Sequence, residues 1–241
     1  MTLAPSSAIV LYAQKKASSY APSTACYATV HDVTVREGVP QLGAGMAVSR
    51  DGLMALFRGL DPQRTEVASL TPTRVLTQGS RWMVWYCAPS KRRVWFRTSD
   101  GIGEQNAEVP LPGLVFAVGP LGWHVFALKS GRRPGASTRL FQVPFYNVWQ
   151  GGKICTGSTR TPQGDARRDP AAWERAFFES EFTHSNIHNA PLVSYKGGAV
   201  AFWKALLRGK KFETFPKDVL IDGGMTLGQF ISELNRGLQD E

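Results

Sequence analysis

Apolar and polar residues alternate in short runs through the first half of this chain, and the period lengthens toward that of a helix only beyond residue 169. The alternation predicts strands over residues 7–14, 25–35, 44–48, 74–78 and 82–87, rich in Val, Tyr, Thr and Trp and mostly bounded by Gly or Pro. Trp82, Met83 and Trp85 can all be buried only if their strand is covered on both faces. One helix breaks the series, with Ser49 as its cap and Leu53, Leu56, Phe57 and Leu60 on a shared face over residues 50–60. A second set of strands is expected at 92–97, 114–118, 124–128 and 138–143. Gly119-Pro-Leu-Gly122 and Gly131-Arg-Arg-Pro-Gly135 supply the turns of an antiparallel meander, which must stop at Pro144 for want of a backbone donor.

Helical spacing then takes over. Asp169-Pro170 reads as a cap and first-turn proline for a helix through residue 182, with Trp173, Phe177 and Phe178 inward. A second helix spans 198–207 and carries Val200, Trp203, Leu206 and Leu207. A third starts at the capping box Thr226 to Gln229 and presents Leu227, Phe230, Ile231 and Leu234. Strands first and helices last predict an α+β fold, an antiparallel β-meander with C-terminal helices gathered on one side. The expected organisation is a β-rich N-terminal region over 1–90 and a second region over 91–241, or one continuous domain over 1–241.

Composition narrows the class. The 241 residues are 43% hydrophobic, enough for a buried core. Cys26, Cys87 and Cys155 are too few and too widely spaced for a disulfide framework or a four-ligand zinc site, which fits a reducing compartment. The first residues carry no basic leader, and no run approaches the length of a membrane span, so a soluble, cytoplasmic protein with no membrane partner is expected. A net charge of +9 would attract nucleic acid, but the positives are dispersed in pairs and triplets such as Lys15-Lys16, Lys91-Arg-Arg93 and Lys210-Lys211, which reads as solvated loops and helix ends. No phosphate loop or dinucleotide motif is present, and no cofactor or metal is expected.

The candidate chemistry lies in Val143-Pro-Phe-Tyr-Asn-Val-Trp-Gln-Gly-Gly-Lys-Ile-Cys-Thr-Gly-Ser-Thr159. Asn147 and Cys155 stand on either side of a glycine turn. A thiol is a soft nucleophile and a fixed amide can donate to an oxyanion, so the pair suggests acyl transfer through a thioester. The bland alternatives are a packed small hydrophobe for Cys155 and a turn residue for Asn147. Cys26 and Cys87 sit in apolar strand contexts and are expected in the core. His184 and His188 have the spacing of a helical metal pair, with Glu179 or Glu181 as a third ligand, but capping or surface hydrogen bonding suits them better. A cysteine dyad with His184 or His124 lacks any protease signature around it.

A meander, an Asn, a glycine turn, an Ile-Cys pair, an irregular loop and a helix resemble, in that order, the ubiquitin-conjugating enzyme core. In that family a His-Pro-Asn triplet precedes the active cysteine. Here Phe145-Tyr146-Asn147 occupies its place and Gly152-Lys-Ile-Cys155 matches the rest. With Phe178-Glu-Ser-Glu-Phe-Thr-His-Ser-Asn186 downstream, the segment resembles the B component of the PRTRC system, a bacterial, often plasmid-borne gene set. The resemblance implies a ubiquitin-conjugating-enzyme-like core beside the β-rich N-terminal region. It also implies that Cys155 accepts a ubiquitin-like protein from a ThiF-like activating protein, that Asn147 steadies the oxyanion when an amine attacks, and that any ATP belongs to the activating partner. Because Phe145 and Tyr146 replace the His and Pro, the flap that orients the Asn must be held differently. After Cys155 the chain reads Thr-Gly-Ser-Thr rather than an apolar Leu followed by an acid. The competing class is a non-catalytic scaffold of the same shape, associated with DNA or plasmid maintenance.

Overall fold

The computed structural model describes residues 4–13, 25–60, 72–79, 81–209 and 212–236. The chain divides into two units, Met1–Ser69 and Leu70–Glu241. The strands at 75–78 and 83–87, expected with the N-terminal region, therefore fall in the second unit. Gln14, Lys15, Lys16, Lys210 and Lys211 lie outside the described residues.

The first unit holds β1 (Ser7–Ala13), β2 (Ala25–Arg36) and β3 (Val39–Ala47) in one antiparallel sheet of that order, followed by α1 (Arg50–Leu60). Glu37 and Gly38 both have positive φ, 53° and 78°, the backbone that a tight hairpin with twisted strands requires. That turn lets β3 begin at Val39 rather than at residue 44. Ser49 caps α1, its Oγ accepting from Gly52 N at 3.1 Å. The expected inward face is not buried: Leu56 and Phe57 are 41% and 54% exposed. The Leu60 side chain lies outside the described residues.

The second unit opens with β4 (Val75–Gln78), β5 (Met83–Cys87), β6 (Ser90–Arg97), β7 (Glu104–Leu111), β8 (Gly113–Gly119) and β9 (Gly122–Leu128). It continues through β10 (Arg139–Phe141), α2 (Pro170–Phe178), β11 (Glu181–Phe182), α3 (Gly198–Leu207), β12 (Asp222–Thr226) and α4 (Leu227–Arg236). One sheet has the order β12-β10-β9-β8-β5-β4 and the other β11-β6-β7. Proline explains why there are two. Only Ala88 and Pro89 separate β5 from β6, and only Pro112 separates β7 from β8. With no N–H to give, each proline interrupts the ladder, and one long ribbon bends into a β5/β8 pair and a β6/β7 pair.

The expected four-strand meander is corrected accordingly. It shrinks to β8-β9-β10, because β6 turns away to pair with β7, and β5 takes the place beside β8. β7 escaped the pattern because Glu-Gln-Asn-Ala-Glu-Val-Pro-Leu is polar and contains a proline, both tolerated on an edge strand. The α2 helix also stops at Phe178 instead of running to residue 182. Phe182 instead joins β11, parallel to β6, where it is fully buried between Phe145, Phe96 and Phe177.

The α+β class holds, with sheets that are antiparallel apart from β11 on β6, but the helices cover both faces of the larger sheet. Trp85, Phe116 and Val125 share one core with Phe177 of α2 and Trp203 of α3. Val84, Val115 and Phe126 face the other way, against Leu227, Phe230 and Leu234 of α4. This two-sided cover is what lets all of β5 be buried. The helix starts are as expected: Asp169 Oδ1 accepts from Ala171 N at 2.9 Å, and Thr226 and Gln229 cap each other reciprocally at 3.3 and 2.8 Å.

Charge as well as apolar area holds α2 to the sheet. Glu174 is 5% exposed, and its carboxylate pairs with Arg74, accepts from Trp85 Nε1 at 3.0 Å and lies 3.5 Å from Arg92. A buried carboxylate this well satisfied ties α2 to β5, to β6 and to the chain ahead of β4. Glu174→Ala should lower the unfolding free energy by about 2–3 kcal/mol, read by chemical denaturation. An unchanged midpoint would show that the network contributes no net stability.

Candidate active site

Beyond β10 the chain is fastened before it reaches the candidate residues. Trp203 Nε1 donates to Pro144 O at 2.7 Å. Phe145 is fully buried, stacked on Phe182 at 5.1 Å and edge-on to Phe177 at 5.2 Å. Tyr146 donates its hydroxyl to Asp100 Oδ2 at 2.6 Å, and burial together with that carboxylate pushes its phenol up. These anchors fix the approach to Asn147.

Asn147 then turns the chain with φ 59°, a left-handed conformation that Asn accepts more readily than most side chains. A hairpin begins at this turn. Val148 bridges Ile154, Trp149 N donates to Lys153 O at 2.8 Å, and Gly152 N closes back on Trp149 O at 3.0 Å. The returning arm lies along β9 through Val125 N to Gly152 O at 2.9 Å and Ile154 N to Trp123 O at 2.7 Å. Gly152 has φ 83°, and a Cβ there would come within 2.7 Å of the Phe126 ring and 2.8 Å of Val125 O, so only glycine fits. At the base of the hairpin Cys155 N donates to Asn147 O at 2.8 Å. The two candidate residues are thus brought opposite one another.

The Asn147 side chain reaches the segment after α2. Nδ2 donates to Glu181 O at 2.8 Å, while Oδ1 accepts from Thr183 N at 3.1 Å and Thr183 Oγ1 at 2.9 Å, with His184 N at 3.4 Å. Its backbone N donates to His184 O at 2.9 Å. Around this junction lies an open cleft of about 430 Å³, lined by Asn147, Cys155, the loop 156–160, Ala176 of α2, residues 179–181, Thr183 and His184. Arg160, Glu179, Glu181 and His184 bring charge or titratable groups to it, and Glu181 is also paired with Arg97 at 2.9 Å.

The thiols differ in setting. Cys155 is partly exposed on the cleft. Cys87 is buried, and burial pushes its thiol far up, with the charge of Glu174 and a hydrogen bond to it acting in the same direction. The Cys26 side chain lies outside the described residues.

Of the histidines weighed as partners for the cysteine, His184 lines the cleft and His124 does not. His124 sits on β9 beside Phe230, 8% exposed. Burial lowers its pKa to about 4, Lys153 helps, and a hydrogen bond to Gly122 only partly opposes them. Because α2 ends at Phe178, His184 and His188 share no helix, so their spacing is not that of a helical metal pair. Among the described residues no cluster of three His, Cys, Asp or Glu side chains is placed to hold a metal. Thr183, Ser180 and Arg160 are cleft residues that the sequence pattern did not single out. Residues 179–182 read as helix there, and the signal that would have separated them is the polar run Glu-Ser-Glu before a lone Phe182.

One comparison with known proteins gives a match. Prokaryotic E2 family D matches residues 52–223, more than half of the chain. The chain belongs to that family. Comparison with curated proteins and with solved structures gives no match. As a family D protein it is ubiquitin-conjugating-like, and among its described residues no helix is long and apolar enough to cross a membrane.

The contrasting settings of these thiols and histidines can be measured. Brief alkylation of the folded family D protein at neutral pH should modify Cys155, and Cys87 should react only after unfolding, as read by peptide mass spectrometry; equal rates would contradict the burial of Cys87. For His124 the folded pKa lies below the unfolded one, so the unfolded chain binds a proton that the folded chain refuses. The resulting stability is full above about pH 6.5 and lost as pH falls toward about 4, roughly 3 kcal/mol in all. His124→Leu should flatten the decline of the denaturation midpoint across that window, and a decline as steep as before would assign it to other groups.

Proposed function

We propose that Cys155 carries the C-terminal acyl group of a ubiquitin-like protein as a thioester, received from a ThiF-like activating protein, and passes it to an amine. The observation that supports this most is the closed hairpin, which brings Cys155 and Asn147 to one cleft with His184. The likeness to the B component of the PRTRC system supports these classes of partner.

In loading, Cys155 Sγ attacks the thioester carbonyl on the activating protein. A new C–S bond forms, the old one breaks, and the donor thiolate leaves. In discharge an amine nitrogen attacks the Cys155 thioester, a C–N bond forms and the Cys155 thiolate departs. The amine's surplus proton passes to His184 and from there to that thiolate. An amide NH₂ carries two hydrogens, of which Glu181 O takes one; the second Asn147 hydrogen is the donor this reading assigns to the oxyanion.

Incubation with the activating protein, the ubiquitin-like protein and ATP should give an adduct that reductant removes. Cys155→Ser should give a reductant-resistant ester and Cys155→Ala none. No adduct from the intact protein, or one that persists in Cys155→Ala, overturns the reading. His184→Gln should load normally and discharge to free lysine roughly tenfold to a hundredfold more slowly, followed by single-turnover gel assay. The net charge of +9 favours a second reading, a scaffold meeting DNA, for which affinity should fall steeply with salt and be indifferent to Cys155→Ala.

A further inference from the structure

The polar contacts around Asn147 fix the orientation of its amide. Nδ2 faces Glu181 O, which can only accept, and Oδ1 faces Thr183 N, which can only donate, so the amide orientation is fixed. Thr183 Oγ1, 2.9 Å from that same Oδ1, donates its single hydrogen to Asn147. The hydroxyl also lies 2.9 Å from His184 Nδ1, and having spent its hydrogen it can only accept there. His184 Nδ1 must then carry a hydrogen, and in the neutral imidazole Nε2 is left with the lone pair.

We infer that Thr183 is a positioning residue: its hydroxyl relays the orientation of the Asn147 amide to His184 and holds that imidazole in the tautomer whose Nε2 accepts a proton in the Cys155 cleft. The inference rests on the acyl-transfer reading for its purpose, because a proton acceptor is needed where the attacking amine sheds its hydrogen. The logic is that of any base oriented by a third group, here with a hydroxyl and an amide in place of a carboxylate. The side-chain amide is bonded to Glu181 O and Thr183 N, while the Asn147 backbone carbonyl accepts from Cys155 N, so one residue joins the hairpin that presents Cys155 to the segment that carries His184.

The test uses the full chain labelled with ¹⁵N-histidine. Long-range ¹H–¹⁵N spectra of the neutral imidazole should show His184 protonated on Nδ1 in the intact protein and in Thr183→Ser. Thr183→Val, which keeps shape and loses the hydroxyl, should move the hydrogen to Nε2. With Cys155 preloaded, Thr183→Val should discharge to hydroxylamine about tenfold or more slowly and Thr183→Ser at nearly the original rate. An Nε2-protonated His184 in the intact protein, an unmoved tautomer in Thr183→Val, or an unchanged discharge rate there would each overturn the inference. Failure of the intact protein to load would instead defeat the carrier reading, while the spectra would still decide the tautomer.

Discussion

Phe145 is the point at which α2, β11 and α3 are held to the end of the meander. Fully buried, it contacts Phe177, Phe182 and Trp203, side chains of three elements that all lie more than thirty residues beyond it in the chain. An aromatic cluster of this kind is stabilised by removal of large apolar area from water and by edge-on and offset ring contacts. Because Phe145 lies two residues before Asn147, the same burial that assembles the core sets where the cysteine hairpin begins. Tyr146 adds a polar fastening to Asp100, and the left-handed turn at Asn147 is then imposed from a rigid base.

Rigidity on one side of the cleft contrasts with openness on the other. The hairpin from Asn147 to Cys155 is bonded along β9 and cannot gain a side chain at Gly152. The loop after Cys155 is mostly exposed and makes a tight turn from Thr156 to Thr159, with Gly157 in a left-handed conformation. A thiol at the border between fixed and open backbone can be approached from the cleft without disturbing the core. The contrast with Cys87 makes the same point electrostatically. Placed beside Glu174 under α2, that thiol is kept protonated by burial and by a neighbouring carboxylate, while Cys155 faces solvent.

Much of the fold was legible because its signals are local. Caps at Ser49, Asp169 and Thr226 depend on residues within one turn, and each helix starts where its cap predicted. The central strands β5, β8 and β9 are apolar enough to be seen directly. Elements whose existence depends on a pairing partner more than on their own apolar pattern were missed. β7 is polar and proline-bearing, β12 contains two glycines, and β11 is two residues long; each is a strand only because a neighbour offers it a ladder. Phe182 shows the competition most clearly, since helix periodicity would have kept it on α2 while the aromatic cluster draws it into the sheet.

The candidate site divides along the same line. The Asn147 and Cys155 pairing was legible in the sequence, because two glycines between them let the short segment close as a hairpin by short-range hydrogen bonds. Sequence alone also determined that two aromatic residues, Phe145 and Tyr146, lead into Asn147. Only the tertiary structure decided what holds the Asn147 side chain and which histidine lines the same cleft as the thiol. Glu181, Thr183 and His184 lie more than thirty residues from Asn147 and meet it through β11, whose pairing with β6 is fixed by aromatic burial rather than by any local pattern. Burial likewise sets His124 apart beneath α4. A period in the sequence shows which face of an element is apolar, but not which distant face will cover it.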